Sequence, residues 1–163
     1  STSDGKCIRF DEAEVRAMGR NAAGVNAIKL RDGDSIVSTA VVDKDDKNDL
    51  LVVGAKGLGK CTPLADYPRK GRATQGVITL KVTERTGPVV GVLVVEEEDE
   101  IMCITTQGVL IRMPVRGIRN TGRNAQGVKV VTPSEGDSVT AVTKVVRYAG
   151  DGPAGPATAS DED

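Results

Sequence analysis

Histidine and tryptophan are absent from this chain, and its 163 residues hold one Phe and two Tyr. Without histidine, neither a Ser-His-Asp or Cys-His catalytic set nor a His-ligated zinc site can be built. Phe10, Tyr67 and Tyr148 are too few and too far apart in sequence to indicate a stacking platform for single-stranded nucleic acid, and they are read as packing residues. Cysteine is confined to Cys7, Cys61 and Cys103, an odd number with no close pair, which argues against a disulfide framework and for a reducing compartment. No basic-then-apolar leader and no long apolar run is found, so the expectation is a cytoplasmic chain with no membrane partner.

What the chain has is valine, 19 glycines and a repeat. β-Branched side chains suit a pleated surface, and tight hairpins need residues that tolerate positive φ. The stretch Gly122-Arg123-Asn124-Ala125-Gln126-Gly127-Val128 recurs as Gly19-Arg20-Asn21-Ala22-Ala23-Gly24-Val25 and as Gly71-Arg72-Ala73-Thr74-Gln75-Gly76-Val77. The copies start 52 and 51 residues apart, a period that marks an array of supersecondary units about the size of a propeller blade. Gly19, Gly24, Gly71, Gly76, Gly122 and Gly127 are read as structural, supplying the backbone conformation of a loop-to-strand junction.

Around each copy the same order of segments is expected. A short strand (Gly5 to Phe10, Gly59 to Leu64, Gly108 to Met113) leads into a loop rich in Arg and Gly (Asp11 to Arg20, Ala65 to Arg72, Pro114 to Arg123). A hairpin follows: Val25 to Leu30 with Ile36 to Val42, Val77 to Val82 with Val89 to Val95, and Val128 to Thr132 with Val139 to Val146. Acidic turns then lead into Leu50 to Val53 and Ile101 to Thr105. The fold class is all-β: about three propeller-like blades of four antiparallel strands over residues 1–148, followed by a disordered acidic tail at 149–163. Nothing before Gly5 corresponds to Leu50–Val53, so the first blade is expected to be incomplete and the chain cut from something longer. Gly59-Lys60-Cys61 is aligned with Gly5-Lys6-Cys7, with Leu110 replacing the cysteine in the third unit.

Charge lies where the loops are. The formal total is −1, but four acids and no base lie in 149–163, leaving the rest at about +3. A loop that only turns a chain needs no cations, yet these carry Arg16 and Arg20; Arg69, Lys70 and Arg72; and Arg116, Arg119 and Arg123. At equivalent places in successive units their charges should form a row suited to a bent phosphate backbone. Eight phosphate contacts would give a log–log salt slope of roughly −7. The segment from Gly54 to Cys61 imitates a phosphate-binding P-loop, but Cys61 stands where Ser or Thr is required and Pro63 where a helix should begin. The acids Glu96 to Glu100 lack a spaced ligand pattern and are read as a solvated turn.

Gly59-Lys60-Cys61-Thr62-Pro63-Leu64, Tyr67-Pro68-Arg69-Lys70-Gly71-Arg72 with Gln75-Gly76-Val77, and Gly122-Arg123-Asn124 with Gln126-Gly127-Val128 resemble the C-terminal domain of bacterial DNA gyrase A. So do Ile8-Arg9-Phe10, Met18-Gly19-Arg20 and Asp99-Glu100-Ile101-Met102, and the similarity runs from residue 5 to about 147. It implies a β-pinwheel, a disc of four-stranded blades that exchange strands, with double-stranded DNA wrapped on a basic rim. The family's basic heptapeptide box is not found here, and these units resemble the later blades. The resemblance further implies partners in the N-terminal region of gyrase A and in gyrase B. ATP, magnesium and the cleavage tyrosine are expected elsewhere in a supercoiling type II topoisomerase, and no cofactor or catalytic group in this chain. The related domain of topoisomerase IV and a protein-interaction propeller remain as alternatives. The tail Asp161-Glu162-Asp163 either competes with DNA for the cations or only solubilises.

Overall fold

The computed structural model describes residues 1–146, so Tyr148 and the tail at 149–163 lie outside the described residues. Among the described residues nine strands form: β1 (Lys6–Cys7), β2 (Asp49–Gly54), β3 (Leu58–Pro63), β4 (Val77–Ile78), β5 (Val89–Val95), β6 (Glu100–Thr105), β7 (Leu110–Pro114), β8 (Val128–Lys129) and β9 (Val139–Lys144). All ladders between them are antiparallel and make three sheets, β1-β4, β5-β2-β3-β8 and β7-β6-β9. The middle sheet shows the rule of construction. The β2–β3 hairpin is flanked on one side by β5 of its own unit and on the other by β8, which follows the next unit's loop. In the same way β4 of the second unit completes β1 of the first. The units therefore exchange strands, as a β-pinwheel does.

The exchange strands are shorter than the sequence predicts. The amides of Thr79 and Leu80 both turn to Gly5 O (2.8 and 3.3 Å), and those of Val130 and Val131 both turn to Gly57 O (2.9 and 3.1 Å). Two successive amides on one carbonyl take the chain out of the ladder, and Leu80 and Val131 drop into the core instead. Gly5 and Gly57 are thus equivalent, at φ +74° and +82°. This corrects the alignment of the cysteines: Cys7 matches Gly59, and Cys61 matches Arg9. A slip of two residues leaves every side chain on the same face of a strand, so the apolar pattern does not expose it.

The first unit departs most from expectation, because the strands predicted at Val25 to Leu30 and Ile36 to Val42 do not form. Only isolated bridges remain, Ile28 to Thr74 and Ile36 to Thr2. The counterparts of Ile36 to Val42, β5 and β9, lie along β2 and β6, and among the described residues no strand takes that place beside this segment. A strand without a partner leaves its backbone to water.

The core explains why β2 reads as an unbroken apolar run. Leu51 and Val53 face Cys61, Val95, Ile101, Cys103, Val115, Val131 and Val139 on one side. Leu50 and Val52 face Cys7, Leu64, Tyr67, Leu80, Val89 and Val92 on the other. Each such Leu or Val stabilises by about 1.5–3 kcal/mol on burial. The three cysteines are packing residues in these layers. Desolvation first, and then the charge of Asp49, pushes the Cys61 thiol up to about 12, and desolvation raises Cys103 as well.

A turn device repeats in the first and third units. Asp34 Oδ1 accepts from Ser3 Oγ and the amides of Asp4 and Ser35, each at 2.9 Å. Asp137 Oδ1 accepts from Thr106 Oγ1 (2.7 Å) and the amides of Gln107 (3.1 Å) and Ser138 (2.8 Å). Burial alone would raise the Asp137 carboxyl, but the Thr105 hydroxyl first, and then Thr106, Ser138 and Gln107, prevail and hold it at about 2, against an ordinary 3.8. The native state therefore stays ionised where the unfolded chain takes up a proton. The device contributes fully above about pH 4, and its contribution is lost as pH falls toward about 2. Asp137→Asn should lower the melting temperature at neutral pH, and the difference from wild type should shrink as thermal melts are taken down that window.

The second glycine of each repeated motif is the demanding one. Gly76 (φ +67°) and Gly127 (φ +85°) sit where a Cβ would lie 2.4 Å from Cys7 O and 2.3 Å from Gly59 O, so only glycine lets the exchange strand approach. The conformational argument does not extend to Gly19, Gly71 and Gly122, which lie outside the left-handed region and have no atom nearer to a Cβ than 3.8 Å. Gly127→Ala should cost at least about 2 kcal/mol in urea unfolding, whereas Gly122→Ala should stay within about 0.5 kcal/mol.

Candidate nucleic-acid interface

Each basic loop begins with one turn of 3-10 helix, at Glu12–Glu14, Leu64–Asp66 and Val115–Gly117. The second and third then cross onto the preceding unit. Arg69 bridges Arg9, with the Lys70 amide on Arg9 O at 2.8 Å. Asn120 bridges Cys61, with the Thr121 amide on Cys61 O at 2.9 Å. Since Arg9 and Cys61 are equivalent, the two loops occupy equivalent places on successive units.

Six of the eight predicted cations, Arg16, Arg20, Arg69, Lys70, Arg116 and Arg119, are exposed, while Arg72 and Arg123 are half-buried. Arg69 approaches Asp11 at 4.0 Å, and Lys44 approaches the same carboxylate at 3.9 Å. These are surface pairs, worth little each. Arg72 behaves differently, since it fastens the second loop to the first: Nε donates to Glu14 O (3.0 Å), Nη1 to Asn26 O (2.8 Å), and its amide to Glu14 Oε2 (3.0 Å). The adjacent Ala73, held at φ 56°, donates its amide to Ala27 O at 2.8 Å. Arg123 has the same place in its motif and reaches Ile78 O, the equivalent carbonyl, at a looser 3.4 Å. Glycine-arginine in this motif is therefore a junction between units as well as a source of charge.

Lys60 is not among the residues that the sequence marks as shaping this surface. It lies on β3, opposite Val52, with no exposed surface, and its Nζ donates to Gly122 O and Arg123 O at 2.6 Å each. The apparent P-loop from Gly54 to Cys61 is the β2–β3 turn and strand, and its lysine points into the neighbouring basic loop. Thr62 Oγ1 adds a bond to Thr121 O at 2.8 Å. A shallow depression beside this contact is lined by Asp66, Gly122, Arg123, Asn124 and Ala125. Asp66 stands where Glu14 does at the other junction, one methylene shorter. The sequence signal that could have found Lys60 is its position in a hairpin whose partner strand is apolar on both faces.

Tyr67, the aromatic residue nearest the cations in sequence, is buried with its hydroxyl 2.6 Å from Thr79 Oγ1. Desolvation, chiefly, pushes its phenol up to about 12. It is a packing residue and offers no stacking face. Asp99 pairs with Lys144 at 2.6 Å and Glu100 with Arg112 at 2.5 Å, so part of the acidic turn is neutralised locally. No described helix is long and apolar enough to cross a membrane.

Strand-exchanged antiparallel sheets in tandem, the middle one of four strands, with basic crossover loops at equivalent places, define a β-pinwheel of the propeller class. Three consecutive segments, residues 1–43, 48–96 and 99–145, match the family model described as DNA gyrase C-terminal domain, beta-propeller, and the chain belongs to that family. DNA gyrase A of Deinococcus deserti is 51% identical over 142 residues, covering 85% of this chain and 18% of that protein. DNA gyrase A of Escherichia coli K12 is 45% identical over 144 residues, covering 88% and 16%. Among solved structures, the DNA gyrase A C-terminal domain superposes with a TM-score of 0.80 at 27% identity, over 89% of this chain and 49% of that one. The C-terminal domain of DNA topoisomerase IV gives 0.81 at 30% identity, over 88% and 45%. The chain thus spans less than a fifth of the length of these curated relatives and about half of each solved domain.

The different bonding of the cations predicts different consequences of removing them. Arg72→Ala should cost about 1–2 kcal/mol in urea unfolding, for two lost bonds between units. Arg116→Ala, an exposed side chain, should change stability by less than about 0.5 kcal/mol.

Proposed function

We propose that this chain binds double-stranded DNA without sequence preference and bends it, as part of the wrapping domain of a DNA gyrase A protein. The observation that carries this reading is the placement of the second and third basic loops at equivalent positions on successive units. A regular row of cations matches the regular spacing of phosphates on a bent duplex, and phosphate contacts carry no sequence information. The family and the burial of Tyr67 support the same reading, since single-strand binding would call for exposed aromatic faces.

On this reading the chain works in the cytoplasm, within a holoenzyme made of the rest of gyrase A together with gyrase B. Cleavage, ATP and magnesium belong to those other regions. Wrapping a DNA segment here would present it for strand passage and set the handedness of the crossing.

Salt titration of binding to a duplex of about 40 base pairs tests the proposal. The six exposed cations should give a log–log slope of about −5, and alanine at Arg69, Lys70, Arg116 and Arg119 should flatten it by roughly 3 to 4. Affinity indifferent to salt, or a slope untouched by these substitutions, would place the DNA contacts elsewhere in the protein.

A further inference from the structure

The two junctions between units use the same loop motif but different anchors. At the first, Arg72 reaches back to Glu14 and Asn26. At the second, three successive residues of β3 grip the third loop: Lys60 holds the carbonyls of Gly122 and Arg123, Cys61 pairs through its backbone with Arg119 and Thr121, and Thr62 holds Thr121 O. In the first unit the places of Lys60 and Thr62 are taken by Ile8 and Phe10, whose side chains cannot donate. The lysine grip belongs to the second junction.

Resting on the proposed duplex binding, we propose that Lys60 is the positioning residue of the third loop. Its ammonium fixes Gly122 and Arg123 by their carbonyls, sets where the Arg119 guanidinium meets the phosphates, and adds its own charge beneath it. The geometry is specific, with two 2.6 Å bonds from a side chain that has no exposed surface. Its hydrogen-bond partners are carbonyls, which accept hydrogen bonds but do not neutralise a cation, and a buried charge in that state is costly. A phosphate brought to Arg119 would supply the missing negative charge.

The ionisable groups around it are consistent with this. Arg123 faces it from the loop, Asp66 and Tyr67 lie on the segment that follows β3, and β2 presents only Val52 across the ladder. Desolvation first, and then the charge of Arg123, lowers Lys60 from 10.5 to about 8. The native lysine therefore sheds its proton near pH 8, whereas the unfolded chain keeps its own to about 10.5, so this residue's contribution to stability improves as pH rises between them. Its contribution to phosphate binding moves the other way. A lysine of purely structural role would show no such opposition.

Lys60→Met should be compared with wild type by amide hydrogen exchange and by duplex affinity at fixed salt, at about pH 7 and about pH 9.5. Exchange across residues 119–125 should speed up about tenfold or more while β2 stays protected. Affinity at about pH 7 should fall about tenfold. Wild-type affinity should weaken severalfold toward about pH 9.5, and the variant's should not. Unchanged exchange in 119–125 would overturn the grip, and faster exchange with wild-type affinity and pH profile would overturn its part in DNA binding. A wild-type chain that fails to bind duplex would refute the proposed function itself, and the exchange comparison would still decide whether Lys60 holds the loop. If circular dichroism shows Lys60→Met unfolded, Lys60→Gln replaces it, keeping a donor for one carbonyl but no charge. A flat pH profile for that variant supports the proposal, and a wild-type profile overturns it.

Discussion

The strand exchange is the constraint on which the rest of this molecule depends. Neither the β2–β3 hairpin nor β1 is finished by its own unit, and both wait for the short strand that follows the next loop. That approach is possible because Gly76 and Gly127 bring backbone against backbone where any Cβ would collide with a carbonyl. Once the strands are exchanged, both faces of β2 are covered, one by each neighbour, and the apolar layers become continuous along the array. A single unit could not bury these faces, which is the general reason repeat proteins need several copies.

The loops inherit their positions from that exchange. To deliver its strand to the preceding unit a loop must cross the junction, so whatever charge it carries is set down beside the previous loop. The cations are thereby held in sequence, and acids stand at the same crossings: the Asp11 carboxylate lies 4.0 Å from Arg69, and that of Glu14 accepts the Arg72 amide. Both acids belong to the first loop, and Arg16, Arg20, Lys70, Arg116 and Arg119 remain exposed. The proposed functional reading thus rests on connectivity more than on any single residue, because phosphate contacts carry no sequence information.

Arg72, Arg123 and Lys60 show how one motif is anchored in two ways. A guanidinium donates several bonds at once and suits an open crossing, where it can hold Glu14 and Asn26 together. An ammonium is compact and fits a closed space, but its desolvation makes its charge titratable near neutrality. The second junction is in this respect chemically more responsive than the first.

Much of this was legible in sequence. The 52- and 51-residue period, the apolar runs Leu50–Val53 and Ile101–Thr105, and the Gly-Val signal placed the units and most of the strands, because backbone pairing and burial impose local patterns that survive in composition. The first unit's missing strands, the two-residue offset between Gly5-Lys6-Cys7 and Gly59-Lys60-Cys61, and the truncated exchange strands were not legible. Each depends on which strand lies alongside, a fact no local window holds. The same limit applies to the site. The cations of the loops were visible in the repeat, but which of them fasten units together, and the burial of Lys60 against the Arg123 carbonyl, were decided only when tertiary contacts brought carbonyls more than 40 residues away within reach of the side chains.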